Sequence, residues 1–484
     1  METEMEKVDE VSEDLQIREK WYQKISVEPS LFLYMMAFMV TSVVENVFFV
    51  YKACTVNHGH PHNICINIEN YNETKKEVQV TTADFFQWNS IAGHVIPIIL
   101  ALFLGAFSDK RGRKLTLLMG LFGKFIYSVM VVVNTLQPTW PVEYVIYTAT
   151  IPSAFTGADV AIFASAFAYI SDITSVQDRT LRITILDVCY LSTMPTGVAL
   201  GTYLFNYFNK SFTIMFVINA SLLFLGIVYT LLNLKWQTTP KQQPLTDLPW
   251  TKWIPDFFDK KHFMSSMKTL CKRRNNNYRT YIIFMMISMA FYAFQRDEKP
   301  YLYLYTQLQF NWTTEIYSNF KTYQSAAFVL VMLIAVPIMN KLLKWKDTTI
   351  VIIGASAHSL GRVCFGLATA SWMMFLGATI AALGPTVAPA LRSITSKLVP
   401  VEERGSVFAL LSVCDNAVPL LNGVMYTQVY KWTIDSHPAG IFWLTLATQM
   451  IVLVLVLHIH LRKPFDDPNQ TNGRKLIEES TERK

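Results

Sequence analysis

The stretch Gly105-Ala106-Phe107-Ser108-Asp109-Lys110-Arg111-Gly112-Arg113-Lys114 stands between two long apolar runs and decides the fold. Gly105 allows two helices to approach closely, and Gly112 allows a tight turn. Asp109 can meet a helix N-terminus or a cation, while Arg113 offers a forked donor that can bridge two elements. The basic residues alone would indicate a cytoplasmic anchor in a tight hairpin. The glycines and the acid at this spacing favour a conformational latch, which forms in one state and breaks in another.

The composition of the whole chain is that of a membrane protein. Residues of the AVILMFWYC class make up 52% of the 484 residues, only 16% are charged, and the mean hydropathy is +0.27. A soluble chain carries about 25% charged residues, so the charge here is too low to cover soluble domains. The counts of Gly, Pro and Cys (19, 20 and 6) exclude a collagen-like fibre, a disordered chain and a disulfide scaffold. The net charge of +6 is too small to indicate nucleic-acid binding.

Apolar runs long enough to cross a bilayer recur along the chain. A hydrocarbon core about 30 Å thick needs roughly 20 apolar residues per helix. We therefore predict an all-α membrane protein with twelve transmembrane helices. Met1–Lys24 is acidic and lacks an apolar run, and we expect the first span to act as its own insertion signal. Spans 1 to 12 are predicted at Ser30–Tyr51, Phe85–Phe107, Leu115–Leu136, Val142–Ile170, Ile183–Phe205, Phe212–Leu234, Tyr281–Glu298, Ser318–Met339, Thr348–Ala368, Ser371–Ile394, Ser406–Tyr430 and Ala439–Leu461.

The placement of Lys and Arg sets the orientation of the predicted spans. With the N-terminus inside, the basic stretch 110–114 and the long loop 235–278 are cytoplasmic, whereas the outer loops carry only scattered basic residues. Both termini are then cytoplasmic. The sequons that begin at Asn72 and Asn311 fall in outer loops, and we expect both asparagines to be glycosylated.

The two halves of the chain repeat each other. Asp178-Arg179 followed by Val188-Cys189 recurs 225 residues later as Glu403-Arg404 followed by Val413-Cys414. Each match leads into the fifth span of its half, and we assign Arg179 and Arg404 to the latch. Two pseudo-symmetric six-helix bundles around a central site are typical of transporters that rock between two states. The predicted divisions are a cytoplasmic segment 1–29, an N-terminal bundle 30–234, a cytoplasmic central loop 235–278, a C-terminal bundle 279–462 and a cytoplasmic tail 463–484.

The latch sequence resembles the signature loop of the major facilitator superfamily, whose fold is a twelve-helix transporter. A narrower resemblance covers most of the chain. Its matching residues are Val27-Glu28-Pro29 and Phe32-Leu33-Tyr34 near the start of span 1, Asp178-Arg179-Thr180-Leu181-Arg182 before span 5, Asp187 within it and Arg392 near the end of span 10. These residues resemble solute carrier family 46, which contains the proton-coupled folate transporter. The resemblance implies co-transport of protons with organic anions such as folates, or with peptide-like, muropeptide or cyclic-dinucleotide cargo.

The family's functional residues carry over only in part. Asp187 stands where the folate transporter has a glutamate needed for proton coupling, Arg392 matches an arginine of its tenth helix, and Asp109 matches its loop aspartate. The histidine of its seventh helix has no counterpart in span 7. The family's disulfide between the first and fourth outer loops is also unmatched, because Cys54 and Cys65 both lie in the first; a bond between these two is possible on an oxidising outer side. These departures count against folate as the cargo, but not against transport.

Asp187 and Arg392 both lie near the predicted inner mouth. Each lies about one turn from the cytoplasmic end of its span. We expect the two side chains to pair when this mouth is closed, and protonation of Asp187 would then release Arg392 to a substrate anion. The alternative is a fixed ion pair that holds two helices together.

Other ionisable side chains inside the spans also need a partner or a water-lined cavity, because a charge in hydrocarbon costs roughly 3 kcal/mol or more. Each of these residues also has a structural role as the alternative to a functional one. For Asp159 and Asp415 it is an interhelical hydrogen bond. For His94 and His358 it is that of a hydrogen-bonded packing residue, and for Arg362 it is pairing with a neighbouring acid. The run 296–299 is expected to be a solvated helix end, or else an outer gate. The predicted proton-coupling residues are Asp187, Asp159, Asp415, His358 and Glu45, and the predicted substrate-binding residues are Arg392, Arg362 and Asn416.

These observations predict a proton-driven importer of organic anions that works by alternating access. A receptor or scaffold that kept the fold without transport is the alternative. The chain has no phosphate loop, HExxH motif or nucleophile elbow, so we expect no enzyme and no cofactor besides the proton gradient. The stretch His58-Gly59-His60-Pro61-His62 resembles a metal site, but no acid is near it in sequence, and we expect no metal. We expect a monomer in the plasma membrane or the lysosomal membrane, with the cargo left open.

Overall fold

The computed structural model of the chain describes residues 25–174, 179–238, 242–243, 249, 253–258, 278–343, 345–397 and 404–462. Within these ranges all regular secondary structure is helical. Each predicted span coincides with one helix or one broken helix, numbered α1 to α12, with the parts of a broken helix marked a and b. The helices are α1 Glu28–Lys52, α2 Asn72–Arg111, α3 Arg113–Leu136, α4a Ile146–Thr150 and Ile151–Ala154, α4b Ala158–Ile173, α5 Arg179–Tyr207, α6 Phe212–Asn233, α7a Tyr278–Ala293, α7b Glu298–Phe310, α8 Thr314–Pro337, α9 Asp347–Gly366, α10a Ser371–Ile380, α10b Val387–Lys397, α11 Arg404–Thr433 and α12 Gly440–Leu461.

Eight of the described helices are long and apolar enough to cross a membrane. The all-α membrane fold is therefore confirmed, while the count of twelve crossings stays a prediction. The four helices outside this set are α2, α5, α7 and α11. Of these, α7 is interrupted, and the other three pack against the opposite half of the molecule. A helix covered by protein or facing an aqueous cavity needs less apolar surface than one surrounded by lipid.

The two halves, α1–α6 and α7–α12, meet along two seams. One seam joins α2 to α11, and the other joins α5 to α8. A six-plus-six repeat makes α2 equivalent to α8 and α5 equivalent to α11, so the repeat exchanges the two seams. Two equivalent seams of this kind suit a pair of bundles that rock against each other around a central site.

The two halves also break at equivalent places. The fourth helix is interrupted before Ala158, where Gly157 has φ +79° and Ala158 has φ +42°. The tenth helix is interrupted by the 3₁₀ turn Ala381–Thr386. The 225-residue offset of the sequence repeat places Gly157 at position 382, inside that turn. A third interruption, the 3₁₀ turn Phe294–Asp297, separates α7a from α7b. Interrupted helices of this kind mark the binding region of many transporters.

Two helices extend further than hydropathy predicts. The second begins at Asn72 instead of Phe85, and the seventh continues past Glu298 to Phe310. The added segments are rich in polar residues, and they pack against each other across the two halves. Protein contacts in place of lipid therefore explain why a hydropathy window ends these spans too early.

Candidate functional site

Two glycines of α3 bring this helix against the interruption in the fourth helix. A Cβ atom on Gly123 would lie 1.8 Å from Oγ1 of Thr156, and one on Gly120 would lie 2.8 Å from the carbonyl oxygen of Ala158. Only glycine permits this approach. The contact places Lys124, the residue after the second glycine, beside Asp159 in the first turn of α4b.

Lys124 and Asp159 form an ion pair that the protein encloses only in part. Lys124 Nζ lies 2.7 Å from Asp159 Oδ1, and the side chains are 21% and 49% exposed. Tyr34 of α1 donates a hydrogen bond to the same carboxylate oxygen. A carboxylate in the first turn of a helix is stabilised by the positive end of the helix dipole. The interruption, the dipole and the lysine together fix an anionic group in the middle of the N-half.

More titratable groups from both halves surround this pair. Tyr127 of α3 donates a hydrogen bond to Glu45 of α1. His94 of α2 has its Nδ1 2.8 Å from the backbone oxygen of Ser90. The charges of Asp159, of Lys124 and of Arg296, at the interruption of the seventh helix, all act on His94. Charged groups of the C-half therefore face the ionic cluster of the N-half.

Asp187 and Arg392 approach each other from opposite halves. Asp187 is a partly buried residue of α5, and Arg392 is an exposed residue of α10b. The two are within electrostatic range of each other, and both act on Tyr190. Both residues lie in the parts of their helices that the sequence predicts to be near the cytoplasm.

The expectation of a solvated helix end at 296–299 is wrong for Glu298. Its side chain is 2% exposed and lies 2.9 Å from Nε of Arg362, which is 7% exposed. Thr445 of α12 also donates a hydrogen bond to this carboxylate. Glu298 is buried because it begins α7b, which packs against α12. Arg362 thus has the acidic partner that was the alternative to substrate binding.

His358 packs against the interruption of the tenth helix. It is 1% exposed, and a Cβ atom on Gly384 would lie 2.6 Å from its Cδ2. Its Nδ1 is buried and makes no hydrogen bond with the described residues. His358 is thus enclosed by packing, and its role as a proton relay stays a prediction.

The latch sequence is held by partners on other elements. Gly112 has φ +106°, and a Cβ atom there would lie 2.2 Å from the carbonyl oxygen of Trp236, so only glycine fits. Arg113 Nε lies 2.9 Å from Asp172 Oδ2 at the end of α4b, so the guanidinium bridges two elements as expected. Gly105 differs from expectation, because a Cβ atom there would meet nothing within 4 Å. No close helix approach occurs at Gly105 in this conformation.

The central loop supplies an acidic partner for Lys110 and Arg111 of the latch sequence. Asp256 Oδ2 lies 2.7 Å from Arg111 Nε, and its Oδ1 pairs with Lys110. The backbone N–H of Gln243 donates to the carbonyl oxygen of Lys110 at 2.9 Å. Phe257 packs on Phe107, with ring centroids 4.9 Å apart. These contacts dock part of the central loop on the C-terminal end of α2.

On the outer side, buried polar side chains join the halves; we call this group the outer seal. Lys75 Nζ donates to Asn311 Oδ1 at 2.6 Å and to the carbonyl oxygen of Gln307 at 3.3 Å. Gln79 Nε2 donates to Gln307 Oε1 at 3.0 Å, and Tyr430 OH donates to Gln79 Oε1 at 2.8 Å. Lys75 and Gln79 have no exposed surface. The outer ends of α2, α7b and α11 are therefore closed against each other.

The first outer loop is cross-linked. Cys54 and Cys65 form a disulfide, with Cα atoms 5.7 Å apart. His58 Nδ1 lies 3.0 Å from Glu77, so the fold supplies an acid that the sequence neighbourhood lacks. Among the described residues, no three side chains are placed to hold a metal ion. Asn72 and Asn311 are exposed, as glycosylation requires.

Some sequence predictions concern side chains outside the described part of the chain, and one functional candidate was missed. Lys124 was missed although its signal was available, because an ionisable residue in the middle of an apolar span is a functional candidate by default. No sequence signal could have paired Asp256 with Arg111, since their contact depends on loop docking. The predicted residues whose side chains are not described are Asp109, Arg179, Arg404, Asp415 and Asn416.

The chain is similar to known transporters over most of its length. The family model of the Major Facilitator Superfamily matches residues 30–361 and 322–482. The chain is 24% identical to the probable peptidoglycan muropeptide transporter SLC46 of Drosophila melanogaster, over 86% of this chain and 81% of that protein. It is 24% identical to the lysosomal proton-coupled steroid conjugate and bile acid symporter SLC46A3 of Gallus gallus (88% and 92% covered). It is 22% identical to the proton-coupled folate transporter of Bos taurus (89% and 91% covered).

A solved structure agrees with these sequence relatives. The fold matches that of a D-xylose-proton symporter with a TM-score of 0.65 at 12% identity, over 90% of this chain and 96% of that one. At this identity the likeness shows the fold alone. The resemblance to solute carrier family 46 is confirmed by the sequence relatives.

Proposed function

Since the chain belongs to the Major Facilitator Superfamily and is a membrane transporter, we propose that it is a proton-coupled symporter that imports small organic anions by alternating access. The observation that carries this proposal is the approach of Asp187, an acid of the N-half, to Arg392, a cation of the C-half, at the inner mouth. A charge pair that spans two moving halves is broken and re-formed as they move. It can therefore link protonation to the conformational cycle.

The proposed cycle begins with the inner mouth closed and Asp187 paired with Arg392. A proton that enters from the acidic outer or luminal side neutralises the carboxylate, which then no longer attracts the guanidinium. Arg392 is free to bind a carboxylate or phosphate of the cargo, which suits the forked geometry of arginine. Opening to the neutral cytoplasm releases the proton and the cargo together.

Two features support an anionic cargo. Arg392 and Arg296 are exposed cations of the C-half, and each is within electrostatic range of titratable groups of the N-half. Similar proteins are described as transporters of muropeptides, bile acids and folates. Members of these three chemical groups carry carboxylates. The shared chemistry therefore favours a carboxylate-bearing or phosphate-bearing cargo without selecting one.

Uptake into proteoliposomes tests the proposal. The purified full-length protein is reconstituted and offered a folate, a muropeptide, a bile acid and a cyclic dinucleotide, with and without an inward proton gradient. We expect at least one anion to enter only with the gradient. Asp187→Asn is expected to abolish the gradient dependence but to leave exchange of internal for external cargo intact. Glu315→Gln, which changes an exposed carboxylate in the first turn of α8, serves as the control.

Two outcomes would contradict the proposal. Unchanged gradient dependence in Asp187→Asn would remove this residue from coupling. Specific binding without uptake of any anion in the panel would favour a receptor or scaffold instead.

The same proposal includes a topology and a location. Both termini are cytoplasmic, and the protein is a monomer of the plasma membrane or the lysosomal membrane. Glycans on the exposed residues Asn72 and Asn311 would place both loops outside the cytoplasm. Glycosidase treatment of the Asn72→Gln and Asn311→Gln variants reports which of them is modified.

A further inference from the structure

Among the described residues, the N-half contains the ion pair of Asp159 and Lys124 and the C-half contains that of Glu298 and Arg362, and the two pairs differ in exposure. In the C-half, Glu298 and Arg362 are 2% and 7% exposed, and Thr445 adds a third hydrogen-bonding group. In the N-half, Asp159 and Lys124 are 49% and 21% exposed. Removing a buried partner leaves an uncompensated charge, so the C-half pair is suited to a structural role. The side chains of the N-half pair are less enclosed by protein, which leaves them room to change partners.

The two carboxylate oxygens of Asp159 differ in the number of hydrogen bonds that they accept. Asp159 Oδ1 receives both Lys124 and Tyr34, while Oδ2 accepts no hydrogen bond from the described residues. The lysine ammonium has three N–H donors. One of them meets Asp159, and within the described ranges no other acceptor lies at bonding distance. The pair therefore has one open site for a proton, on Asp159, and donors to spare for an anionic ligand, on Lys124.

The titratable groups around the pair come from four helices. Tyr34 and Glu45 face it from α1, His94 from α2, Tyr127 from α3 and Arg296 from the interruption of the seventh helix. Glu45 is the second acid within electrostatic range of Lys124, but it accepts a hydrogen bond from Tyr127. When Asp159 is neutral, Lys124 therefore has no ion-pair partner at bonding distance among these groups. The cluster then lacks a negative group that could pair with Lys124.

We propose that Lys124 is the anchor for an anionic group of the transported molecule, and that it changes partner from Asp159 to that group when Asp159 binds a proton. This inference rests on the proposed symport and adds a binding site in the N-half to Arg392 in the C-half. A proton adds to Oδ2 of Asp159, the contact with Lys124 breaks, and a carboxylate or phosphate oxygen of the cargo accepts from Nζ. On the cytoplasmic side the proton leaves, and Asp159 displaces the anion. The exchange requires one proton for each anionic group bound at Lys124.

Substitution of both partners tests this exchange in the reconstituted full-length protein. Lys124→Gln is expected to lower acid-driven uptake about ten- to hundredfold, the equivalent of one lost charge-assisted hydrogen bond. Lys124→Arg keeps the charge and is expected to retain most of the uptake. Asp159→Asn leaves the lysine permanently without its acidic partner, so the KM for the anion at neutral pH is expected to fall below that of the wild type. The pH dependence that remains is that of Asp187. Lys346→Gln, which removes an exposed lysine directly before α9, is the control.

Binding measured without uptake separates this inference from the proposed function. Folic acid, muramyl dipeptide and a cyclic dinucleotide are each added to purified protein, and the unfolding temperature is measured at acidic and neutral pH. We expect anions that raise the unfolding temperature of the wild type at acidic pH to have no such effect on Lys124→Gln. Absence of uptake by the wild type, together with this loss of stabilisation, would contradict symport but support the anchor.

Three results would overturn the anchor. One is wild-type uptake and stabilisation in Lys124→Gln. Another is a KM at neutral pH that is no lower in Asp159→Asn than in the wild type. The third is a lower KM at neutral pH in Glu45→Gln but not in Asp159→Asn, which would make Glu45 the exchanging acid.

Discussion

Asp256 of the central loop and Arg111 at the end of α2 form an ion pair in which Oδ2 and Nε lie 2.7 Å apart. The pKa of the Asp256 carboxyl is lowered to about 2, mainly by the hydrogen bond from Arg111. Lys110 lowers it further. The segment that links the two halves is therefore docked on the latch sequence by an acid that stays ionised at cellular pH.

The docking of the central loop is predicted to be insensitive to mild acid. The folded pKa of Asp256 is below the ordinary value of 3.8, so its stabilisation is present above that value. It is lost only as the pH falls from about 4 towards 2. Asp256→Asn is expected to weaken the docking by about 1–3 kcal/mol. Limited proteolysis of the central loop should accelerate in this variant, and in the wild type it should be equal at neutral and mildly acidic pH.

The partner provides the control for this prediction. Arg111→Gln should have a similar effect, and the double variant should lose little more than either single one, because both changes remove the same contact. Strictly additive losses, or wild-type proteolysis that rises between neutral and mildly acidic pH, would contradict a shared and permanently charged pair.

The two glycines of the latch sequence are predicted to differ in their tolerance of alanine. A Cβ atom on Gly112 would lie 2.2 Å from the backbone oxygen of Trp236, and its φ of +106° is unfavourable for other residues. A Cβ atom on Gly105 would meet nothing within 4 Å. We expect Gly112→Ala to lower the unfolding temperature and the yield of purified protein.

Gly105→Ala is the matched control and should leave folding unchanged, since the structure gives it room. If Gly105→Ala nevertheless lowers transport without changing the unfolding temperature, the close approach at Gly105 belongs to the other conformation of the cycle. Equal stability of both alanine variants would contradict the contact at Gly112.

The positions of the helices were predictable from the sequence because hydropathy is a local property. The partners of individual side chains were not, because they depend on how the helices pack. The predicted spans coincide with the described helices, and the 225-residue repeat agrees with the interruptions at Gly157 and Ala381–Thr386. The burial of Glu298 was not predictable, because four charged residues in a row read as a solvated end. Only the packing of α7b against α12 shows that the carboxylate is enclosed.

The pair formed by Glu298 and Arg362 is predicted to be structural. Glu298→Gln leaves the guanidinium buried without its anion, which costs about 3–5 kcal/mol. A lower unfolding temperature in detergent, measured by intrinsic fluorescence, would show this loss. The double variant Glu298→Gln, Arg362→Gln removes both charges and should recover part of the stability. Failure of the double variant to recover any would contradict a pairwise electrostatic role.

The outer seal is predicted to hold the outer side closed, and adjacent lysines allow a direct comparison. Lys75 is fully buried and donates to Asn311 and Gln307 of the opposite half. Lys75→Met removes these bonds, and a loss of about 1.5–3 kcal/mol corresponds to a ten- to hundredfold rise in the outward-open population. A cysteine at Ser90, deeper along the α2–α11 seam, reports this change through its rate of labelling by an impermeant thiol reagent.

Lys76 supplies the control for the same experiment. It also pairs across the halves, with Asp435, but the two side chains are 42% and 80% exposed. An exposed pair contributes about 0–1 kcal/mol, so Lys76→Met should raise labelling by no more than a few-fold. Faster labelling in Lys75→Met than in Lys76→Met would show that burial, and not charge alone, closes the outer side. Equal rates in the two variants would mean that the seal depends on apolar packing of α2 against α11. Lys75 would then be buried there without contributing to closure.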